Sequence, residues 1–194
     1  VTKFGLGMSN GIYLQSDTVL AELSKFLVRK LPAALSSYPS ARGDNMSSKP
    51  DGKLVAQKVA EYFIATDKSG AAMELHLDDI GPGYATMSMS VRDDMVNGHN
   101  ICHGGKIFTL ADSAFAYACN SYNRVAVAQT CDITFTNSAK LGDRLTAVCD
   151  ERYHRGRSGV YDVPVTDQTG LTIAVFRGIS RTLSGHLVEG LTDD

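Results

Sequence analysis

The sequence has no surplus of either charge. Its 194 residues include 19 Lys and Arg against 21 Asp and Glu, which gives a formal net charge of −2. Proteins that bind nucleic acids or anionic membrane surfaces usually carry an excess of basic side chains. The composition therefore excludes a general polyanion-binding protein, and we expect neither nucleic acid nor membrane as a partner.

Long apolar runs and paired cysteines are also missing. No stretch reaches the roughly 18 uninterrupted apolar residues that a membrane-spanning helix needs, and no signal-peptide core is recognisable. The four cysteines, Cys102, Cys119, Cys131 and Cys149, lie far apart and form no Cys-x-x-Cys pair. So few cysteines in a chain of this size are usually reduced and buried. We therefore expect a cytoplasmic protein without disulfides.

The first 45 residues differ in pattern from the rest of the chain. They contain one apolar stripe at helical spacing, made of Val19, Leu20, Leu23, Phe26, Leu27 and Leu31. Residues 36–51 are rich in Ser, Pro, Gly and charge, which is typical of a linker. We predict a partly helical N-terminal extension at residues 1–45, followed by one domain at residues 46–194.

Within that domain, the hydrophobic pattern alternates between helical and strand-like periods. In chain order it predicts a helix at 54–66, a hairpin at 73–91, a helix at 107–123 and strands at 125–136, 144–154, 158–166 and 171–183. The short links between consecutive strands favour antiparallel pairing. The second helix is apolar almost all round, which indicates burial on all sides. We predict an α+β fold in which a curved antiparallel sheet of five to six strands wraps around one long central helix.

Asp112 is the first candidate for a functional residue. It is the only charged residue between Lys106 and Arg124, in the middle of the apolar helix. Acidic side chains are seldom buried without partners, because a desolvated carboxylate is costly. A carboxylate that is merely hydrogen-bonded or exposed at a corner is the alternative, but we favour a functional role.

His103, Gly104 and Gly105 precede the same helix. Glycine lets a substrate oxygen approach the backbone, and the N–H groups of a first helical turn have no intrahelical partner. Such groups can stabilise an oxyanion. A simple turn explains the Gly-Gly pair equally well when it is considered alone.

Two other motifs fail on inspection. Gly105-Lys106 lacks the earlier Gly and the following Ser or Thr of a phosphate-binding loop. His99, Cys102 and His103 are metal-ligand types, but they form a single cluster of five residues without a partner cluster. We therefore expect no metal.

The segments Asn97-Gly98-His99, Cys102-His103-Gly104-Gly105 and Phe108 to Ser121 resemble the hotdog-fold thioesterases of bacterial phenylacetate degradation. Matches at 142–147, 159–163 and 176–178 extend this resemblance over roughly Glu61 to Leu183. It implies the hotdog fold and hydrolysis of acyl-CoA thioesters, with a ring-hydroxylated phenylacetyl-CoA as the expected substrate. CoA is then part of the substrate, and no retained cofactor is expected.

The resemblance also implies roles for individual residues. Asp112 is assigned as nucleophile or general base, the Gly104 N–H binds the thioester oxygen, and Asn97 orients the water or the carbonyl. His103 supports substrate binding in the same loop.

The turn Arg155-Gly156-Arg157-Ser158 is a separate candidate. Arg155, Arg157 and Ser158 place two guanidinium groups and a hydroxyl together, and arginine suits phosphate geometry. We expect this turn to contact the phosphates of CoA, although a solvated hairpin turn fits the pattern equally well.

Helix geometry adds an expectation about assembly. Gly104 and Asp112 are eight residues apart, which is about 12 Å along a helix axis. One thioester carbon cannot lie ~3 Å from both. A homodimer with antiparallel helices would instead join Gly104 of one chain to Asp112 of the other. The family's pairing of dimers implies a homotetramer as well.

Two alternative functions remain open at this stage. The same fold supports acyl-CoA hydratases or dehydratases, for which His99 or His103 could act with an acid. A non-catalytic acyl-CoA-binding regulatory domain is the other alternative. The presence of Asp112 argues against a non-catalytic role, because a groove that only binds acyl-CoA has no need for a carboxylate in its apolar wall.

Overall fold

The computed structural model describes residues 51–191. The extension expected at residues 1–45 and its boundary at residue 46 therefore lie outside the described residues. In chain order the elements are α1 (Gly52–Thr66), α2 (Lys68–Ala72), β1 (His76–Gly81), β2 (Tyr84–Ser90), a 3₁₀ turn (Asp93–Met95), α3 (Gly104–Asn120), β3 (Ala126–Phe135), β4 (Arg144–Arg155), β5 (Ser158–Thr166) and β6 (Thr172–Thr182).

The six strands form one antiparallel sheet in the order β1-β2-β4-β5-β6-β3. The hairpins β4–β5 and β5–β6 follow from the short turns between these strands. Helix α3 crosses the sheet and packs against every one of its strands. This is the arrangement predicted from the sequence, one long helix with an antiparallel sheet wrapped around it, and the hotdog fold is confirmed.

Small residues on α3 allow its close approach to the sheet. Ala111, Ala114 and Ala118 are completely buried. Between them, the ring of Phe115 lies 5.3 Å from that of Tyr161 on β5 and 5.9 Å from that of Phe176 on β6, measured between centroids. These rings fill the space between helix and sheet, so the helix is held in one position along the strands.

The N-terminal part departs from the prediction in one place. Residues from Met73 were expected to begin a strand, but the short helix α2 comes first and β1 begins only at His76. The side chain of Asp67 caps α2 by accepting hydrogen bonds from the N–H groups of Ser69 and Gly70. A five-residue helix has too few residues to show a hydrophobic period, so this element left no signal in the pattern.

The expectation that α3 is buried on all sides is wrong for a single chain. Phe108, Thr109, Asp112, Ser113 and Ala116 are only half-buried. Since they recur every three or four residues, they form one stripe along the helix, which we call the α3 stripe. The sheet leaves this side of α3 incompletely covered.

Strand β3 forms one edge of the sheet. It pairs with β6 on one side, and no strand of residues 51–191 pairs with it on the other. Most of its ten residues are exposed. A long edge strand with unpaired backbone groups is a ready template for a further strand.

No helix within residues 51–191 is long and apolar enough to cross a membrane. All four cysteines are free thiols, three of them buried and Cys131 half-buried.

Replacement of Gly178 tests the packing of α3 against the sheet. A Cβ atom at this buried position of β6 would lie 2.9 Å from three ring carbons of Phe115. Overpacking of this kind costs about 1–3 kcal/mol, so Gly178→Ala should lower the free energy of unfolding by that amount in urea titrations. In the control Gly81→Ala, the new methyl group meets no atom within 4 Å. An unchanged stability for Gly178→Ala would contradict the packing described here.

Candidate active site

A short loop leads into α3 and is closed by backbone hydrogen bonds. Val96 and Cys102 form an isolated antiparallel bridge. Inside it, the N–H of Asn97 donates to the carbonyl of Ile101, and the N–H of Asn100 donates to that of Asn97, both at 2.9 Å. Asn100 has a φ of 61°, in the left-handed region that tight turns need. The loop therefore holds Asn97 at a fixed distance from the start of α3.

The side chain of Asn97 stabilises the same loop. Its Oδ1 atom accepts a hydrogen bond from the N–H of His99 at 2.9 Å. The acceptor end of the amide is thereby used within the loop, while Nδ2 has no partner among residues 51–191. The half-buried Asn97 can therefore offer an unpaired hydrogen-bond donor, Nδ2, to a substrate or a water molecule.

His103 caps the N-terminus of α3. Its ring Nδ1 accepts a hydrogen bond from the N–H of Gly105 at 2.9 Å, and its own N–H donates to the carbonyl of Met95 at 2.8 Å. An accepting Nδ1 carries no hydrogen, so in the neutral ring the hydrogen is at Nε2. The exposed His103 ring thus combines a structural role with a donor that has no partner among residues 51–191.

Gly104 is the first residue of α3, and its N–H has no acceptor within the described part of the chain. The positive end of the helix dipole lies at this point. The ring of Phe135, from the end of β3, packs over Gly104, so a Cβ atom here would lie 2.9 Å from its Cζ. A free donor beside an aromatic wall is suited to an acyl oxygen and its apolar chain.

Asp112 lies in the middle of the α3 stripe and is half-buried. Its Oδ1 atom lies 3.8 Å from the Sγ of Cys131 on β3. Burial raises the pKa of the carboxyl above its ordinary value, and the hydrogen bond from the thiol partly opposes this. No cationic side chain of residues 51–191 forms an ion pair with it. A poorly solvated carboxylate of this kind is well suited to act as a base or nucleophile.

The predicted site residues lie in three places relative to α3. Asn97, His103 and Gly104 lie together at its N-terminus, and Asp112 lies about 12 Å further along the axis. The turn at 155–158 lies at the opposite end. The carbonyl of Arg157 accepts the N–H of Thr182, Thr182 pairs with Ala126, and Ala126 donates to the side chain of Asn120.

The distance between these ends is large. Gly104 and Asn120 are the first and last residues of the 17-residue helix, which places them about 24 Å apart along its axis. Within a single chain, the turn at 155–158 is therefore remote from the N-terminal group. One chain also does not bring Gly104 to Asp112.

Two contacts of the site have no signal in the sequence. The pattern shows Phe135 and Cys131 only as apolar members of an alternating strand, and their meeting with Gly104 and Asp112 is a long-range contact. Local periodicity says which face of β3 a side chain occupies, but not which residue of α3 it touches.

The residues considered as metal ligands do not form a site. Within residues 51–191, no group of three or more His, Cys, Asp or Glu side chains could hold a metal ion. His99 is exposed, whereas Cys102 is buried and its pKa is raised by this burial to about 11.

Comparison with known proteins identifies relatives of this chain. Residues 99–174 match the thioesterase superfamily. The acyl-coenzyme A thioesterase PaaI of Escherichia coli is 42% identical over 128 residues, which cover 66% of this chain and 91% of that protein. The solved structure of the E. coli PaaI protein, described as coming from the phenylacetic acid degradation operon, has a TM-score of 0.68 at 39% identity and covers 69% of this chain and 97% of its own.

Two further solved structures are similar. A variant of the phenylacetic acid degradation protein PaaI from Thermus thermophilus is 33% identical, with a TM-score of 0.58, over 60% of this chain and all of that chain. The protein smu.793 from Streptococcus mutans, solved with bound acetyl-CoA, is 26% identical, with a TM-score of 0.56, over 58% of this chain and 90% of its own.

The pH dependence of stability tests the environment of Asp112. Since the pKa of this carboxyl is raised in the folded protein, the folded state binds the proton more tightly than the unfolded state does. This contribution to stability is complete at low pH and is lost as the pH rises from the unfolded pKa through the folded one. Asp112→Asn has no such loss, so its free energy of unfolding should rise relative to wild type as the pH rises above the unfolded pKa of about 4. Denaturant titrations at several pH values measure this difference, and a constant difference would contradict a desolvated Asp112.

Proposed function

This chain belongs to the thioesterase superfamily, and from that premise we propose that it hydrolyses acyl-CoA thioesters with Asp112 as nucleophile or general base. The observation that carries the proposal is the half-buried Asp112 carboxylate without a cationic partner, on a helix whose first N–H, that of Gly104, is free within the described part of the chain. The name of the Escherichia coli relative supports the reaction type. The descriptions of two PaaI structures name phenylacetic acid degradation and so support a phenylacetyl group as the acyl part. The hydroxyl group on its ring is proposed from the family resemblance alone.

The proposed reaction adds water across the C–S bond and releases a carboxylic acid and CoA. In one form, Asp112 removes a proton from water, which attacks the carbonyl carbon. In the other, the carboxylate attacks first, and water then hydrolyses the resulting anhydride. In both forms the Gly104 N–H stabilises the oxyanion and the Asn97 Nδ2 donates to the carbonyl or the water.

CoA serves as the leaving group and departs as a thiol. Water, a base and an oxyanion donor suffice for this chemistry, so the proposal includes no retained cofactor and no metal. The acetyl-CoA bound to the Streptococcus mutans relative supports an acyl-CoA as the substrate class.

The proposed active site is shared between two chains. Gly104 and Asp112 lie about 12 Å apart on one rigid helix, whereas the reacting carbon must approach both within ~3 Å. A two-fold axis that sets two α3 helices antiparallel would bring Gly104 of each to Asp112 of the other. The half-buried α3 stripe and the unpaired edge of β3 offer the surfaces for such a homodimer. Pairing of two dimers would give the homotetramer.

The turn at 155–158 is proposed to hold the phosphates of CoA in this assembly. Arg155 and Arg157 are exposed, and the Nε of Arg157 donates to the carbonyl of Thr182 at 2.8 Å, which fixes its direction. Ser158 begins β5 beside them. Because the turn is remote from Gly104 of its own chain, the contact would be made to substrate held with a partner chain.

The alternative functions receive less support from the geometry. A hydratase would need a histidine base, but Nδ1 of His103 is occupied by the N–H of Gly105, and the hydrogen is at Nε2. His99 is exposed in the preceding loop. A regulatory domain would leave the cost of the Asp112 carboxylate unexplained.

Replacement of Asp112 tests the assignment directly. Asp112→Asn keeps the shape of the side chain and removes the base or nucleophile, so turnover of phenylacetyl-CoA should fall by at least ~10²-fold. Thiol release measures the reaction, and binding of CoA should persist. Asp132→Asn, the same change at an exposed position of β3, is the matched control and should retain activity. More than a tenth of the wild-type turnover in Asp112→Asn would contradict the assignment.

Complementation tests the sharing of the site. Asn97→Asp keeps an acceptor for the N–H of His99 but removes the Nδ2 donor, so the loop should persist while activity is lost. After subunit exchange with Asp112→Asn, each mixed dimer would contain one site with both changes and one with neither. Equal mixing should then restore about a quarter of the wild-type activity, because half of the dimers are mixed and each has one intact site. Mass spectrometry of labelled chains would show whether the subunits have exchanged. A mixture that has exchanged subunits but stays inactive would refute the shared active site.

A further inference from the structure

We propose that Cys131 is a positioning residue for Asp112, whose Oδ1 it holds through an S–H hydrogen bond so that the other carboxylate oxygen is left for the reaction. This inference rests on the proposed function, in which Asp112 is the base or nucleophile. It assigns a role to a side chain that neither the sequence motifs nor the proposed reaction uses.

The first support is the placement of the thiol. Cys131 lies on β3, just after an irregularity in the pairing with β6 between Ala128 and Thr130. Its neighbours Thr130 and Asp132 are exposed, whereas Cys131 is half-buried and faces α3. The Sγ atom lies 3.8 Å from Oδ1 of Asp112, within the range of a thiol hydrogen bond. The shift in the register of β3 thus places the thiol of Cys131 next to the carboxylate of Asp112.

The second support is the protonation of the thiol. Burial and the neighbouring charge of Asp112 raise the pKa of Cys131 to about 11. At neutral pH the sulfur therefore keeps its hydrogen, and a neutral thiol beside a carboxylate acts as the donor. The same contact lowers the pKa of Asp112, against the larger effect of burial.

The third support is the lack of any other partner for the carboxylate. The titratable groups that interact with Asp112 are the thiols of Cys131 from β3 and Cys119 from α3 itself. Burial, with a smaller effect of the Asp112 charge, raises the pKa of Cys119 to about 12. No Lys, Arg or His among residues 51–191 forms a hydrogen bond or an ion pair with Asp112. Oδ2 accepts no hydrogen bond in this part of the chain either. The thiol is therefore the one donor, within the described residues, that can orient the carboxylate.

The pH profile of kcat/KM distinguishes positioning from packing. Its acid limb reports the free enzyme's base. Cys131→Ala and Cys131→Val both remove the donor, so the pKa of Asp112 rises and the limb should move up by about half a pH unit. Cys131→Ser restores a donor and should return the limb toward the wild-type position. If the side chain of Cys131 only fills space, Val would fill it equally well. The acid limb of kcat/KM would then lie at the same pH in all variants.

A spectroscopic measurement tests the contact without relying on activity. The S–H stretching band of Cys131, assigned by its loss in Cys131→Ala, should move to higher frequency in Asp112→Asn because a neutral amide oxygen is a weaker acceptor. Cys149→Ala removes a buried thiol of β4 and is the matched control, which should leave both the limb and the Cys131 band in place. An acid limb unchanged in both Cys131→Ala and Cys131→Val, or a band unchanged in Asp112→Asn, would overturn the proposal.

The two proposals fail in different ways. An active Asp112→Asn enzyme would remove the proposed function, and the positioning role with it, even if the S–H band moved. An inactive Asp112→Asn enzyme with an unmoved band or limb would leave the proposed function intact and remove only the role of Cys131.

Discussion

The desolvation of Asp112 on α3 is the constraint on which the other features of the site depend. A helix that must pack closely against a sheet carries small and apolar residues, and a carboxylate on it loses part of its water. Among the described residues, the chain places no cationic side chain in an ion pair with Asp112. A cation there would lower the pKa of the carboxyl and make it a weaker base. The chain instead leaves the carboxylate on the half-covered side of the helix, beside a weak thiol donor. In the proposed reaction, this desolvation would favour a reactive carboxylate at a cost in stability, as is common for functional groups.

The loop before α3 has the complementary property, since it presents donors and uses its acceptors internally. Oδ1 of Asn97 and Nδ1 of His103 both accept hydrogen bonds from nearby N–H groups. What remains free, within residues 51–191, is Nδ2 of Asn97, the N–H of Gly104 and, in the neutral ring, the Nε2 hydrogen of His103. A group of donors at the positive end of a helix stabilises developing negative charge and cannot serve as a base. Local hydrogen bonding thus leaves donors unpaired in the loop, and the proposed reaction uses these donors together with the carboxylate of α3.

Sequence patterns are sufficient for the architecture because each major element repeats its signal over many residues. Periodicity alone predicts helix α3 and strands β4 to β6 to within a few residues of their ends. The same reasoning fails where the signal is short or ambiguous. Helix α2 depends on one capping side chain, Asp67, and Ala116 and Thr109 are small enough to suit a buried or a half-exposed face. The contact of Cys131 with Asp112 depends on strand register, which no local pattern encodes.

The rigidity of α3 explains why a single copy of this fold would hold an incomplete site. The helix is continuous from Gly104 to Asn120, so the rise per residue fixes the separation of oxyanion donor and carboxylate. An aspartate side chain is too short to span that distance, and its position is further restrained by the packing of Phe115 and the buried alanines. In the proposed mechanism, the missing half therefore comes from outside the chain. A second copy placed on the α3 stripe would supply it with no new residue type, and the surface that the sheet leaves open would then be the surface on which the two proposed half-sites meet.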